Sequence, residues 1–133
     1  MTYILDTNAC IFWLKNVGNV RQRVNEHTED RITTNIVSVA ELYFGVENSA
    51  EQHRQHNHEK LEELISVIGY APFSIAAAQF FGQHKAALRK IGQPIADLDL
   101  MIAAIALAEQ AVLVTDNLKH FERIPGLRLE NWK

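Results

Sequence analysis

The chain has 133 residues, of which 47% are hydrophobic and 22% are charged, and its formal net charge is −3 at pH 7. This length and composition are typical of one globular domain spanning residues 1–133, and they exclude disordered and collagen-like chains. The acidic balance argues against a protein that binds nucleic acid through a basic surface alone. It is compatible with a nuclease that gathers acidic side chains around a metal ion.

Two further features of the sequence predict a cytoplasmic protein. No apolar stretch approaches the roughly 18 to 20 uninterrupted residues that a membrane span needs. The amino terminus has neither the basic region nor the cleavage site of a signal peptide. We therefore expect no membrane association.

The first half of the chain predicts strands that alternate with helices. In chain order, we predict a strand at 3–5, a helix at 9–15, a short polar helix at 20–27, a strand at 31–34 and a helix from 39 to about 45. Asn8 and Ser38 are the candidate N-caps of the first and third of these helices, because their side chains can accept a backbone N–H bond.

The second half of the chain predicts the same alternation. In chain order, we predict a loop or frayed helix at 48–60, a helix at 61–68, a short strand at 70–73, a helix at 75–90, a buried helix from about 98, a strand at 111–115, a short helix within 116–124 and an edge strand at 127–132. Ser74 is the candidate N-cap of the helix at 75–90. Strands alternating with helices predict an α/β fold with a parallel sheet covered on both faces.

Four acids fall where predicted strands end or predicted helices begin. They are Asp6, Glu41, Asp99 and Asp116. Ligands of a parallel sheet bind beyond the carboxyl ends of its strands, where the strand order reverses, and Asp6 and Asp116 follow two such strands. Carboxylates that lie a few ångströms apart repel one another, so a cluster of them is expected to hold a cation. Oxygen ligands alone favour Mg²⁺ or Mn²⁺.

Each acid also has a purely structural role open to it. Glu41 fits a surface glutamate near a helix start, and Asp116 with Asn117 fits a turn that caps the next helix. Asp97 and Asp99 are two residues apart, so both cannot enter one pocket from the same regular helix. We expect Asp99 to face inward, and Asp97 to be the N-cap or to support the site from the loop.

The histidines carry no predicted site. His53, His56 and His58 have a spacing that resembles a zinc site, but their polar stretch offers no cysteine and no fourth ligand, so we expect a solvated segment. His84 and His120 are expected at the surface or at a helix edge rather than as general bases.

Four segments of the sequence resemble one enzyme family. They are "YILDTNACIFWL", "SVAELYFG", "GQPIADLDLMIAAIA" and "AVLVTDNLKHFERIPGLRLENW". In this order, and over nearly the whole chain, they resemble the PIN-domain ribonucleases and, more narrowly, the VapC toxins of bacterial type II toxin–antitoxin pairs. The resemblance implies an α/β/α sandwich with a parallel sheet of about five strands. It also implies cleavage of RNA, with tRNA as one candidate, that depends on Mg²⁺ or Mn²⁺, inhibition by a VapB-like antitoxin, and a homodimer.

The resemblance assigns the catalytic acids to Asp6, Glu41, Asp99 and Asp116. We expect Asp6 and Asp99 to be direct metal ligands, and the other two to bind a second ion or to orient the attacking water. Many PIN domains carry the fourth acid one residue later, where this chain has Asn117. The position of the fourth catalytic acid therefore falls on either Asp116 or Asn117.

Four residues close to these acids have expected supporting roles. Thr7 and Asn8 are expected to hold Asp6 in place through hydrogen bonds. Lys119 and Arg123 either meet the phosphate backbone of RNA or form a solvated face.

Two other functions fit the same residues. The first is a non-catalytic PIN-like module that captures an antitoxin-like partner, in which the acidic pocket receives an Arg or Lys from that partner. The second is a phosphatase with Asp6 as its nucleophile, although no second aspartate follows two residues later. Divalent metal binding and RNA cleavage by the free protein distinguish the ribonuclease from both.

Overall fold

The computed structural model describes residues 1–133 and contains five strands and seven helices. The strands are β1 (Thr2–Leu5), β2 (Arg31–Asn35), β3 (Tyr70–Ala71), β4 (Val112–Val114) and β5 (Arg128–Glu130). The helices are α1 (Thr7–Lys15), α2 (Val20–Glu26), α3 (Ile36–Glu47), α4 (Glu51–Ile68), α5 (Ile75–Lys90), α6 (Asp97–Ala108) and α7 (Leu118–Phe121). The strands form one sheet in the order β3-β2-β1-β4-β5, and all neighbours are parallel. The predicted α/β fold is confirmed.

The side chains of the central strands alternate between two apolar clusters. Ile4 of β1 packs in one cluster with Leu113 of β4 and with the buried residues of α5 and α6. Tyr3 and Leu5 of β1 pack in the other cluster, with residues of α1, α2 and α4. Successive residues of a strand point to opposite faces of the sheet, so this alternation places a helical layer on each face. The result is the three-layer α/β/α sandwich.

The start of α1 differs from the sequence prediction. The helix begins at Thr7, and its N-cap is Asp6 rather than Asn8. The carboxylate Oδ1 of Asp6 accepts a hydrogen bond from the backbone N–H of Ala9 at 2.8 Å. Because the last strand residue is followed directly by the cap, no loop separates β1 from α1, and the carboxylate is fixed at the strand end.

The start of α3 differs in the same way. The helix begins at Ile36, and its N-cap is Asn35 rather than Ser38. The side-chain oxygen of Asn35, which is fully buried, accepts from the backbone N–H of Ser38 at 2.8 Å. Strand β2 is thus one residue longer than predicted, and it too passes directly into a helix.

Helix α4 is regular over its whole length, where the sequence predicted a loop or frayed helix at its start. Its polar first half is supported by side-chain pairs one turn apart, such as the bond from Gln55 to Glu59 at 3.3 Å. Its second half is anchored by the buried side chains of Leu61 and Leu64. No helix of the protein combines the length and the apolar character that crossing a membrane requires.

Candidate active site

The strand order reverses between β1 and β4. Strand β1 pairs with β2 on one side and with β4 on the other, so the connections leave in opposite directions and open a crevice at the carboxyl ends. Asp6 directly follows β1, and Asp116 lies two residues after the end of β4. The backbone N–H of Asp6 donates to the carbonyl of Val114 at 3.0 Å, which continues the pairing of the two strands up to this crevice.

The carboxyl group of Asp6 is buried, and the charges of two other acids act on it. Only 7% of the residue is exposed. The pKa of Asp6 is raised to about 6, chiefly by burial and to a smaller extent by the negative charges of Asp116 and Asp99, while hydrogen bonds from Thr115 and Ala9 oppose the rise. A cation bound beside this carboxyl would favour its ionised form. Sequence reasoning had not identified Thr115 as a partner of Asp6.

Glu41 is joined to the sheet by a chain of side-chain hydrogen bonds. Oγ1 of Thr7 lies 2.5 Å from Oε1 of Glu41 and 2.9 Å from Oγ of Ser38. Because a carboxylate can only accept, the Thr7 hydroxyl donates to Glu41 and accepts from Ser38. Ser38 accepts in turn from Nδ2 of Asn35 at 3.0 Å. The expectation that Thr7 holds Asp6 was therefore wrong, since its hydroxyl fixes Glu41 instead.

The two candidates for the fourth acid lie in different surroundings. Asp116 is half-buried, and its charge acts on Asp6. Asn117 is exposed, and its side chain makes no hydrogen bond, although Oγ1 of Thr115 accepts from its backbone N–H at 3.1 Å. Asn8, which was expected to support Asp6, instead donates from Nδ2 to Oδ1 of Asp116 over 3.5 Å. The structure thus brings Asp116, and not the neighbouring amide, to the buried carboxyl.

Asp99 lies in the first turn of α6 and has a histidine partner. Nε2 of His120 is 3.1 Å from Oδ2 of Asp99, and the two side chains are 21% and 40% exposed. The His120 ring also lies edge-on against Phe121, with ring centroids 5.2 Å apart. His120 was expected at the surface or a helix edge, and no sequence pattern indicated that α7 folds back onto the start of α6.

Asp97 takes neither of its two expected roles. It is the first residue of α6, while the cap position is occupied by Ala96, which has no capping side chain. The Asp97 carboxylate is exposed and lies 3.0 Å from Nζ of Lys85 on α5. Its role in the structure is to join α5 to the start of α6.

The two predicted RNA-binding cations are both exposed. Arg123 donates from Nη1 to the carbonyl of Pro94, in the loop between α5 and α6, at 3.2 Å. Lys119 lies in α7, next to His120, and forms no ion pair. Neither cation neutralises the acids of the crevice.

The donor set of the crevice fits a hard divalent ion. No three His, Cys, Asp or Glu side chains converge closely enough to enclose a metal between them, and this includes the histidines of α4. Mg²⁺ does not require such an enclosure, because it keeps several waters and is held by one or two carboxylates together with substrate phosphates. Asp6, whose pKa the charges of Asp116 and Asp99 raise, supplies one such carboxylate.

Comparison with known sequences assigns the chain to a family. Residues 3–127 match the PIN domain family. The chain is 38% identical over 133 residues to the tRNA(fMet)-specific endonuclease VapC of Salmonella typhimurium, an alignment that covers 99% of this chain and 98% of the relative. It is 35% identical over 137 residues to Ribonuclease VapC2 of Rickettsia felis, with the same coverage of 99% and 98%.

Solved structures share the fold over the full chain. The crystal structure of VapBC2 from Rickettsia felis bound to a DNA fragment from their promoter superposes with a TM-score of 0.92 at 34% identity, covering 100% of both chains. The DNA-bound VapBC from Salmonella typhimurium superposes with a TM-score of 0.91 at 36% identity, covering 100% of this chain and 99% of the other.

Proposed function

This chain belongs to the VapC family of PIN-domain ribonucleases, and on that premise we propose that it hydrolyses phosphodiester bonds of tRNA with the help of Mg²⁺ or Mn²⁺. PIN-domain nucleases depend on a divalent metal. The observation that carries the proposal is the buried carboxyl of Asp6, flanked by two further acids at the point where the strand order reverses.

The four acids divide into two pairs with different roles. Asp6 and Asp99 would hold the ion, while Glu41 and Asp116 would orient the attacking water or hold a second ion. When bound, the ion makes a water more acidic and neutralises charge on the phosphate. The hydrogen bond from Thr7 occupies Oε1 of Glu41, which leaves Oε2 to accept a proton from the attacking water.

The substrate and the partners follow from the relatives. A relative with 38% identity is named as specific for tRNA(fMet), and we propose the same substrate for this chain. The solved VapBC structures support a VapB-like antitoxin as its partner, with this chain as the toxin of the pair. We further propose that it acts as a homodimer in the cytoplasm. A non-catalytic binding module is disfavoured, because the relatives are named as ribonucleases and all four acids are present in this chain.

The test is cleavage by the purified chain, free of antitoxin, of initiator and elongator methionine tRNAs in the presence of Mg²⁺. We expect the initiator tRNA to be cut, and EDTA or Asp6→Asn to abolish the reaction. Glu29→Gln is the matched control, because Glu29 is an exposed acid that precedes β2 at the opposite edge of the sheet. Cleavage that persists in EDTA, or full activity of Asp6→Asn, contradicts the proposal. Metal binding without cleavage of any RNA would favour the binding module.

A further inference from the structure

The carboxyl-terminal half of α5 forms a shallow basic trough. Five residues line this hollow of about 580 Å³, which we call the α5 trough: Gly82, Lys85, Ala86, Arg89 and Lys90. The floor is low because glycine and alanine carry almost no side chain. The three cationic side chains surround this floor, and Lys85 and Arg89 are about one helical turn apart.

The positive charge of the trough is largely uncompensated. Lys85 is paired with Asp97, but Arg89 and Lys90 are exposed and form no ion pair. Helix α5 contains no Asp or Glu. The field at a helix carboxyl end favours cations in the last turn, which accounts for Arg89 and Lys90 but not for Lys85. A chain of net charge −3 therefore concentrates cations on this one face.

The trough adjoins the start of α6. The ion pair between Lys85 and Asp97 joins it to the first residue of α6, two residues before Asp99. The bond from Arg123 to the carbonyl of Pro94 brings a further cation to the loop that connects the trough to α6. Both contacts place the trough at the amino-terminal end of α6, the helix end that also carries Asp99.

We propose that the α5 trough binds the phosphodiester backbone of the RNA next to the phosphate that is cut. This inference rests on the proposed function. The acids of the crevice repel RNA, so cations at the same end of α6 are needed to retain the strand. The guanidinium of Arg89 can pair with a phosphate through two parallel hydrogen bonds, and the low floor allows a sugar-phosphate chain to approach closely. An acidic protein segment is a poorer fit, because the trough adjoins the acids at which the phosphate reacts.

The first experiment measures binding of fluorescein-labelled initiator tRNA by anisotropy in the Asp6→Asn background, which prevents cleavage. At about 0.1 M salt, Arg89→Gln and Lys90→Gln should each weaken binding about five- to tenfold, and each should lower the slope of log K against log salt by roughly 0.7 to 0.9. Arg89→Lys should keep the slope while losing part of the affinity, since the charge remains but the planar fork is lost. Arg31→Gln is the matched control, because Arg31 is exposed at the start of β2, at the opposite edge of the sheet.

The second experiment measures cleavage with Asp6 intact. Arg89→Gln should raise KM and leave kcat nearly unchanged, since the trough does not contact the reacting phosphate. Unchanged affinity and salt slope in both glutamine variants overturn the proposal, as does a loss confined to binding of the antitoxin. If the trough variants weaken tRNA binding but the unmodified chain cuts no RNA, the proposed function fails while the trough assignment stands.

Discussion

Nε2 of His120 lies 3.1 Å from Oδ2 of Asp99, so a histidine on the shortest helix of the fold fixes one oxygen of a candidate metal ligand. The contact spans 21 residues of sequence and joins α7 to the first turn of α6. With Oδ2 held, Oδ1 of Asp99 is free to face an ion. This contact predicts that His120 positions a carboxylate rather than binding the ion itself.

Removal of the His120 ring should weaken metal binding. His120→Leu is expected to raise the Mg²⁺ concentration for half-maximal cleavage about 10- to 100-fold, the usual cost of losing a partner of a metal ligand. His120→Gln keeps an N–H donor and should show a smaller shift. Titration of the rate with Mg²⁺, together with calorimetry with Mn²⁺, measures the effect. Identical half-saturation in all three proteins would contradict the positioning role.

The buried carboxyl of Asp6 should make the metal-free protein less stable as pH rises. Its pKa in the folded state is about 6 against an ordinary value of 3.8, so between these pH values the folded state holds a proton that the unfolded state has released. The free energy of unfolding therefore falls as the pH rises from below 4 to above 6, by about 3 kcal/mol in total for this group.

Asp6→Asn removes this titration and keeps an N-cap acceptor for α1. In EDTA at pH 7 the variant should be more stable than the original chain, by up to about 3 kcal/mol, and the difference should vanish below pH 4. Urea unfolding at several pH values measures the difference. The hydrogen bond from His27 lowers the pKa of Asp30, which gives an opposite pH dependence, but this contribution is the same in both proteins and cancels. A variant that is less stable at pH 7 would refute the burial argument.

Thr7→Val should disconnect Glu41 from the sheet. Valine keeps the shape of threonine but cannot donate to Glu41, and it leaves the buried hydroxyl of Ser38 without its acceptor. We expect roughly tenfold lower kcat/KM, and a stability loss of about 1 to 3 kcal/mol. Thr7→Ser retains the hydroxyl and should stay near the original activity. Steady-state cleavage and urea unfolding test both effects, and equal losses in the two variants would point to packing instead.

The choice between Asp116 and Asn117 can be made without any metal. Asp116→Asn removes a charge that raises the pKa of Asp6, so that pKa should fall in the variant. Asn117→Ala should leave it unchanged, because that side chain is exposed and makes no hydrogen bond. Carboxyl NMR titration in EDTA reads the pKa directly. Cleavage should be lost with Asp116→Asn and retained with Asn117→Ala, and the reverse pattern would reassign the fourth acid.

The proposed homodimer has a candidate surface on the β3 side of the sheet. Three large apolar side chains there are strongly exposed, namely Phe44 at 70%, Tyr70 at 48% and Ile75 at 78%. Burying such side chains favours association by about 1.5 to 3 kcal/mol each. Phe44→Glu and Ile75→Glu should shift sedimentation from dimer to monomer, while Val17→Glu, at an exposed apolar residue after α1, should not. A monomeric original chain would exclude the dimer.

The sequence by itself determined the layers of the fold and the place of the site. Short β-prone runs alternating with amphipathic helices predict a parallel sheet with two covered faces, since each run must bury both of its sides. Two acids directly follow such β-prone runs, so they fall at the carboxyl ends of the strands, where a parallel sheet binds its ligands. These conclusions depend on local periodicity, which is written into neighbouring residues.

Only the tertiary structure decided which side chains meet. The N-caps of α1 and α3 are Asp6 and Asn35 rather than the predicted Asn8 and Ser38, because the strands run into their helices without a loop. Thr7 contacts an acid 34 residues away rather than its neighbour, and His120 reaches across 21 residues to α6. Such contacts arise from how helices pack onto the sheet, and the packing geometry is set by the whole core rather than by any local pattern of residues.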